Sequence, residues 1–484
     1  MNKVNINFRN VLGNQLVSTS IDSGKYTTLT FDSNQVIDGT LFICKGVSFK
    51  KDYLLAAIEK GATTYISEID YNVDIPLIKV KDIRLSMIEI GNSFYGRPQD
   101  LLRLVGITGT KGKTTTTYLI KHIFKHQIGL LSSIETYDGN TLEAAVLTTP
   151  EYLDILKKFR VGVDNGLDKF VIEVSSQAIK VDRTTGLFFE IGIFLNISPD
   201  HISSIEHSDF EDYFTSKLKL FKQTNYALVN LDSDHIERIL AAAKNGAQKV
   251  ITFSTKNSSA DYYASEIINL GQSISFKLND EPFELGMIGT FNVENAAAAI
   301  ISGHLLGLSF EQIREGLKEI RVPGRMESFV SEDKNLKILV DYAHNTLSFE
   351  RLFEFAKNDY PDHEIFIIFG CPGGKAINRR YDLGVIANKY ADKVFLCSED
   401  PNYDNPTTIS NEIKEYINDT DVYIIDDRKE ALREAINQVA KQTVILFTGK
   451  GDETFQKING KSVDVQSDIS ITKELLNEFN INKK

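Results

Sequence analysis

The chain reads as a three-domain α/β protein built on parallel sheets, and three observations lead there. Its 484 residues correspond to about three domains at roughly 150 residues each. Apolar runs of strand length recur along it, among them Phe170-Val171-Ile172, Ile191-Gly192-Ile193-Phe194-Leu195, Ile365-Phe366-Ile367-Ile368-Phe369 and Val444-Ile445-Leu446-Phe447. Helical patterns such as Arg428 to Ala440 alternate with these runs. Strands that are apolar on both faces and separated by helices belong in parallel sheets covered by helices.

The elements divide in order. In residues 1–100, strand-like stretches at Thr40-Leu41-Phe42-Ile43-Cys44 and Thr64-Tyr65-Ile66 flank a helical Tyr53-Leu54-Leu55-Ala56-Ala57-Ile58, which Gly61 stops; this predicts a small α/β unit. A buried strand over Asp100–Thr108 then runs into a glycine-rich turn and opens a second unit. Val322-Pro323-Gly324-Arg325 is turn punctuation and marks the next boundary. Beyond it the rhythm restarts with Ile338-Leu339-Val340 and Val394-Phe395-Leu396. The expected units are therefore residues 1–100, 101–325 and 326–484, with no internal repeat or low-complexity segment.

Composition narrows the function. A net charge of −12 argues against a dedicated nucleic-acid binder, although a local cluster of cations and backbone N–H groups can still hold an anion. No apolar run approaches the ~20 residues of a membrane span, and the first residues carry no apolar signal core. Cys44, Cys371 and Cys397 are far apart, which fits a reducing compartment and excludes zinc-site spacing. A cytoplasmic protein is expected.

The strongest local signal is Gly109-Thr110-Lys111-Gly112-Lys113-Thr114-Thr115, set between the strand and a helical pattern over Tyr118–Phe124. Glycines turn backbone N–H groups toward phosphate oxygens, and the helix N-terminus favours the same charge. Lys113 would reach the β- and γ-phosphates of ATP, and Thr114 a Mg2+ ion. Ile107 stands where the general P-loop pattern has its first glycine. The middle unit is thus predicted to be a P-loop ATPase domain on a parallel sheet.

The variant Thr108-Gly109-Thr110-Lys111-Gly112-Lys113-Thr114-Thr115 resembles the loop of the Mur ligases. Further blocks similar to that family follow in order: Leu147-Thr148-Thr149-Pro150, Glu173-Val174-Ser175-Ser176, Asn196-Ile197-Ser198-Pro199-Asp200-His201, Tyr213-Phe214-Thr215-Ser216-Lys217, Gly289 to Asn295, Val322 to Glu327, Asp341-Tyr342-Ala343-His344 and Gly449-Lys450-Gly451-Asp452-Glu453. The resemblance implies ligation of an acid to an amino acid through an acyl phosphate. It implies Glu173 and His201 as magnesium ligands and Lys217 as a carbamylated lysine (N6-carboxylysine) holding a second metal ion. Asn292 and Asn295 would contact adenine, with Arg325, Asp341 and His344 as further nucleotide contacts. The last unit would be Rossmann-like and select the amino acid.

Thr30-Phe31-Asp32-Ser33-Asn34 resembles the uridine-nucleotide block of the members that add the third residue, with Asn34 in place of their usual arginine. Ser33, Thr148, Thr149, Ser175 and Arg183 match positions that hold a UDP-N-acetylmuramoyl-dipeptide. Where diaminopimelate-adding relatives carry Asp-Asn-Pro-Arg, this chain has Glu399-Asp400-Pro401-Asn402. A neutral Asn402 cannot form a bidentate charged pair with a second carboxylate, whereas Glu399, Asp400 and Glu453 suit an ammonium. Arg380 matches the arginine for the α-carboxylate. The resemblance therefore implies L-lysine as the amino acid, with meso-diaminopimelate or ornithine as alternatives and a monomeric enzyme. A folylpolyglutamate synthetase-like ligase, or a P-loop NTPase that moves a partner, are the competing readings. The first lacks the uridine block, and the second leaves Thr148-Thr149-Pro150 unexplained.

Overall fold

The computed structural model describes residues 3–46, 49–200, 202 and 206–482. Three main sheets follow one another along the chain. A five-stranded sheet uses residues 16–80, in the order Leu16–Thr19, Leu77–Val80, Ala62–Ser67, Thr40–Ile43, Thr28–Thr30. The helix Ile83–Tyr95 leaves it, capped at the start by Asp82, whose side chain accepts from the Arg84 and Leu85 N–H groups, and at the end by left-handed Gly96.

An eleven-stranded sheet forms the middle. At its centre the strand β1 (Arg103–Thr108) lies between β2 (Lys169–Glu173) and β3 (Phe189–Phe194), all parallel. Their residues are buried almost throughout, as both-face coverage requires. Antiparallel strands close both ends of this sheet. On one face lie α1 (Lys113–Ile123), which starts directly after the glycine turn, and the alanine-rich α3 (Asn292–Leu305), packed into one core. The short α2 (Phe210–Leu218), capped by Asp209, covers the strands beside β3. The opposite face shares a core with the first unit: Met87, Ile88 and Ile90 pack in the same cluster as Tyr152, Leu156, Phe170 and Phe189.

The last sheet has six strands, in the order Glu327–Val330, β4 (Leu336–Asp341), β7 (Thr443–Thr448), β5 (Glu364–Phe369), β6 (Lys393–Leu396), Asp421–Ile424. Only the first pairing is antiparallel. Helices cover both faces, among them α4 (Arg428–Asn437) and α5 (Asp468–Asn482). No described helix is long and apolar enough to cross a membrane.

The approach of α1 to the helix Phe310–Lys318 is tight. A Cβ on Gly316 would meet the Ile123 backbone at 2.5 Å, so only glycine permits this packing. Gly316→Ala is expected to destabilise the chain by about 1–3 kcal/mol, the usual cost of overpacking, read as a lower urea midpoint. An unchanged midpoint would show that the helices separate freely.

Candidate functional site

The glycine turn sits at the C-terminal end of β1, where open α/β sheets place their ligands. Gly112 adopts φ +83°, and a Cβ there would lie 2.3 Å from the Asn295 side-chain oxygen. Glycine is thus required both for the turn and for the contact with α3. Asn295 also accepts from the Thr116 hydroxyl at 3.3 Å and donates to Asn292 at 3.0 Å. The two asparagines therefore stand against the loop as one unit. Lys113 Nζ donates to the carbonyls of Gly109 (2.9 Å) and Thr110 (3.2 Å). The Thr110 hydroxyl bonds Tyr213 at 3.0 Å, and the Lys111 N–H donates to Asn196 at 2.8 Å. Thr115 lines the cleft on the Asn295 side.

Beside the loop, Glu173 ends β2 as a buried carboxylate. One of its oxygens accepts from the Ser133 N–H (2.9 Å) and hydroxyl (3.2 Å), the other from the Thr114 hydroxyl (3.2 Å). Lys217 comes from α2; its buried ammonium donates to Gly109 O at 3.0 Å and lies 4.7 Å from the Tyr213 ring centre. Burial, then the charge of Lys113, hold it well below the usual lysine range. His201 lies outside the described residues. Among the described residues no cluster of three His, Cys, Asp or Glu side chains forms. The Thr114 hydroxyl and Glu173 carboxylate are nonetheless hard oxygen donors at bonding distance of each other, which fits Mg2+ better than a softer metal.

The last sheet supplies the opposite wall of the cleft. The Arg325 guanidinium lies 4.4 Å from the Tyr342 ring centre, and Asp341 accepts from the Met326 N–H at 2.9 Å. Burial raises Asp341. It lowers His344, as do Lys111 and Arg379, while its Nδ1 lies 2.7 Å from Tyr342 O. Asp200 joins the two walls: it accepts from Arg379 at 3.0 Å and Asn345 at 2.7 Å, with Lys111 at 3.8 Å. Burial pushes Lys111 down to about 7.

The residues assigned to the precursor form a chain of contacts. Thr149 Oγ donates to Glu173 O at 2.8 Å, lies 3.2 Å from the Ser175 hydroxyl and accepts from the Ser175 N–H at 3.0 Å. Arg183 donates to Thr149 O at 3.3 Å and to Glu151 at 2.9 Å. Glu151 also pairs with Lys45, whose ammonium lies 4.9 Å from the Phe31 ring centre. Thr148 is half-buried next to this chain, and Ser33, also half-buried, offers its carbonyl to Lys60 at 2.9 Å.

At the far end, Asp400 and Glu453 come together around Lys450, which lies 3.0 Å from Asp400 and also pairs with Glu453. The Tyr342 hydroxyl donates to Glu453 at 2.5 Å. Glu399 is buried nearby, and burial pushes its carboxyl up to about 7 against the pull of Arg379. Arg380 instead meets Glu412 and, at 3.2 Å, Asp404, and none of its bonds reaches Glu399, Asp400 or Glu453. The Asn402 side chain accepts from the Gly460 N–H at 3.0 Å, and the Asn402 backbone N–H donates to Lys457 O at 2.8 Å. It therefore ties the hairpin Phe455–Asp464 to the loop. Ser133, Glu151, Asp200, Arg379 and Lys450 escaped the sequence reading as site residues, because only the tertiary fold aims them here.

Comparison with known proteins agrees with this geometry. A model of the Mur ligase middle domain matches residues 107–303, and a model of the Mur ligase glutamate ligase domain matches residues 324–451. A protein of Streptococcus agalactiae named UDP-N-acetylmuramoyl-L-alanyl-D-glutamate–L-lysine ligase is 39% identical over 459 residues, covering 93% of this chain and 92% of its own length. One of the same name from Streptococcus thermophilus is 38% identical, with 97% of each chain covered. Among solved structures, a UDP-N-acetylmuramoyl-L-alanyl-D-glutamate–2,6-diaminopimelate ligase superposes with a TM-score of 0.66 at 25% identity, covering 99% of both chains. Folylpolyglutamate synthase of Mycobacterium tuberculosis shares the fold at a TM-score of 0.62 and covers 75% of this chain.

The raised Glu399 carboxyl gives a signed expectation. Between its ordinary 4.5 and about 7 the folded chain keeps a proton that the unfolded chain releases, so stability falls as pH rises through that window and stays reduced above it. Glu399→Gln removes this dependence. Its melting temperature should match wild type near pH 4.5 and rise above it progressively toward pH 7; parallel curves would contradict the assignment.

Proposed function

This chain belongs to the Mur ligase family, and from that premise we propose that it joins L-lysine to UDP-N-acetylmuramoyl-L-alanyl-D-glutamate at the expense of ATP, as one step of peptidoglycan precursor synthesis. The observation that carries the choice of lysine is the Asp400–Glu453 pair, two carboxylates spaced to share one ammonium, as they do that of Lys450. The names of the relatives from Streptococcus agalactiae and Streptococcus thermophilus support the same substrate pair. A second carboxylate, as on diaminopimelate, would meet Asp400 and Glu453, with Lys450 already paired to both and Asn402 neutral and committed to the hairpin.

The chemistry follows from charge. The precursor's carboxylate oxygen attacks the γ-phosphorus of ATP, the bond to the ADP oxygen breaks, and an acyl phosphate results. Two anions approach in this step, and their repulsion must be offset. The loop N–H groups, Lys113 and Lys111 surround the phosphates on one side, and Arg325 faces them from the other. Asn292 and Asn295 flank the base, with Asp341 and His344 completing that wall. A Mg2+ ion held by Thr114, Glu173 and His201, and a second metal ion held by Lys217 as its carbamate, would neutralise part of the same charge. Burial disfavours the charged form of Lys217, and the neutral amine is the form that adds carbon dioxide with loss of a proton. Lysine's α-amine then attacks the acyl carbon, phosphate leaves, and the amine gives up a proton.

On this reading Arg183, Thr148, Thr149, Ser175 and Ser33 line the path of the precursor, and Arg380 orients the amino acid through its α-carboxylate once Asp404 or Glu412 yields. The proposed enzyme is a cytoplasmic monomer. The folate-type alternative is less well supported, because its solved relative leaves a quarter of this chain uncovered.

Product mass tests the proposal. With ATP, Mg2+ and the UDP-dipeptide, lysine is expected to give the amide adduct and meso-diaminopimelate none; an adduct with diaminopimelate alone would overturn the reading of the acid pair. Lys113→Ala should lower kcat by at least roughly 10²–10³-fold, the loss expected for one electrostatic donor. Lys217→Arg, which keeps a cation and cannot carry a carbamate, should be inactive, and full activity would remove the carbamate from the account.

A further inference from the structure

Arg428 occupies the first turn of α4, directly after the cap Asp427. A cation at that end opposes the helix dipole, so local structure does not account for it. The side chain is buried, as is its partner Asp468 at the start of α5. Two guanidinium nitrogens meet the two carboxylate oxygens at 2.8 and 2.6 Å. Of the remaining hydrogens, two go to backbone, one nitrogen donating to Thr448 O at 2.7 Å and another to Ser398 O at 3.2 Å, and one goes to Cys397 Sγ at 3.2 Å. Asp468 in turn accepts from the Gly451 N–H at 3.0 Å.

These three backbone groups have a common feature. Ser398 immediately precedes Glu399 and Asp400, while Thr448 and Gly451 bracket Lys450 and lead into Glu453. The ion pair thus lies beneath both loops that bring the acidic side chains together. Stability alone does not call for charge here, because well-packed apolar residues are often as stabilising as a buried ion pair. A planar fork does what apolar residues cannot: it fixes two carbonyls and a carboxylate in set directions.

We propose that Arg428, with Asp468, is the positioning residue that sets the spacing of Asp400 and Glu453 and thereby the affinity for the incoming lysine. This rests on the lysine-ligase reading above. Arg428 touches no reacting atom in this scheme; it acts through the loops.

Steady-state kinetics of the full chain test it, using Arg428→Lys and Asp468→Asn. Arg103→Lys serves as control, since Arg103 also forks onto a carboxylate, Glu190, and two carbonyls, but beneath the far end of the central sheet. The expected result is a KM for lysine raised on the order of tenfold in both site variants, as for one lost hydrogen bond to a charged group. The KM values for ATP and the UDP-dipeptide should hold, and the control should keep the wild-type lysine KM whatever its melting temperature. An unchanged lysine KM, an equal rise in the control, or a parallel shift of all three KM values would overturn the proposal. Failure of the wild type to use lysine would instead overturn the functional reading, so the two failures are distinguishable.

Discussion

Lys111, Lys113 and Lys217 converge on one turn of backbone, and two of them share the carbonyl of Gly109 as an acceptor. Burial is the first cause that pushes each of the three below the ordinary lysine range. Such crowding costs folding energy, because each cation leaves water and faces the others. Much of the surrounding structure serves to hold it. Gly112 admits Asn295 against the loop, Asn196 fixes the Lys111 backbone, and Glu173 and Asp200 stand as buried counter-charges. A site with excess positive charge and little water is what a triphosphate and a carboxylate need in order to meet.

The second consequence is that the site is divided between two sheets. The loop, Glu173 and Lys217 belong to the unit built on the eleven-stranded sheet, whereas Arg325, Asp341 and His344 lie at or beyond its junction with the six-stranded one. Asp200 is bonded across this division to Arg379 and Asn345. Its charge therefore links the closeness of the two walls to the cations of the loop. On the proposed reading, a nucleotide between the walls would meet both sets of groups at once.

How much was legible beforehand depended on range. The wholly apolar strands gave themselves away: Phe170-Val171-Ile172 lies inside Lys169–Glu173, and Ile365 to Phe369 inside Glu364–Phe369. The glycine turn is legible from its motif, set between an apolar strand pattern and a helical periodicity, and it lies between Arg103–Thr108 and Lys113–Ile123. The strand foreseen from Asp100 begins only at Arg103, because Pro98 starts a helical turn that runs to Leu101. The helix foreseen to Ala440 ends at Asn437. Side chains that act across the fold were harder to see. Ser133 reaches Glu173 from a loop forty residues earlier, and Glu151 acquires meaning only when Lys45 and Arg183 close on it. Arg380 and Asn402 sit at family-like positions, yet their bonds run to Glu412, Asp404 and Gly460, partners that no local pattern announces.

On the proposed mechanism, the cationic turn brings a carboxylate to ATP to form an acyl phosphate. Oxygen transfer reports this directly. With the D-glutamate side-chain carboxylate of the precursor labelled with oxygen-18, and with lysine and ATP present, each phosphate released is expected to carry one labelled oxygen. Amide formation with unlabelled phosphate would contradict it, since the carboxylate oxygen would then have left by another route.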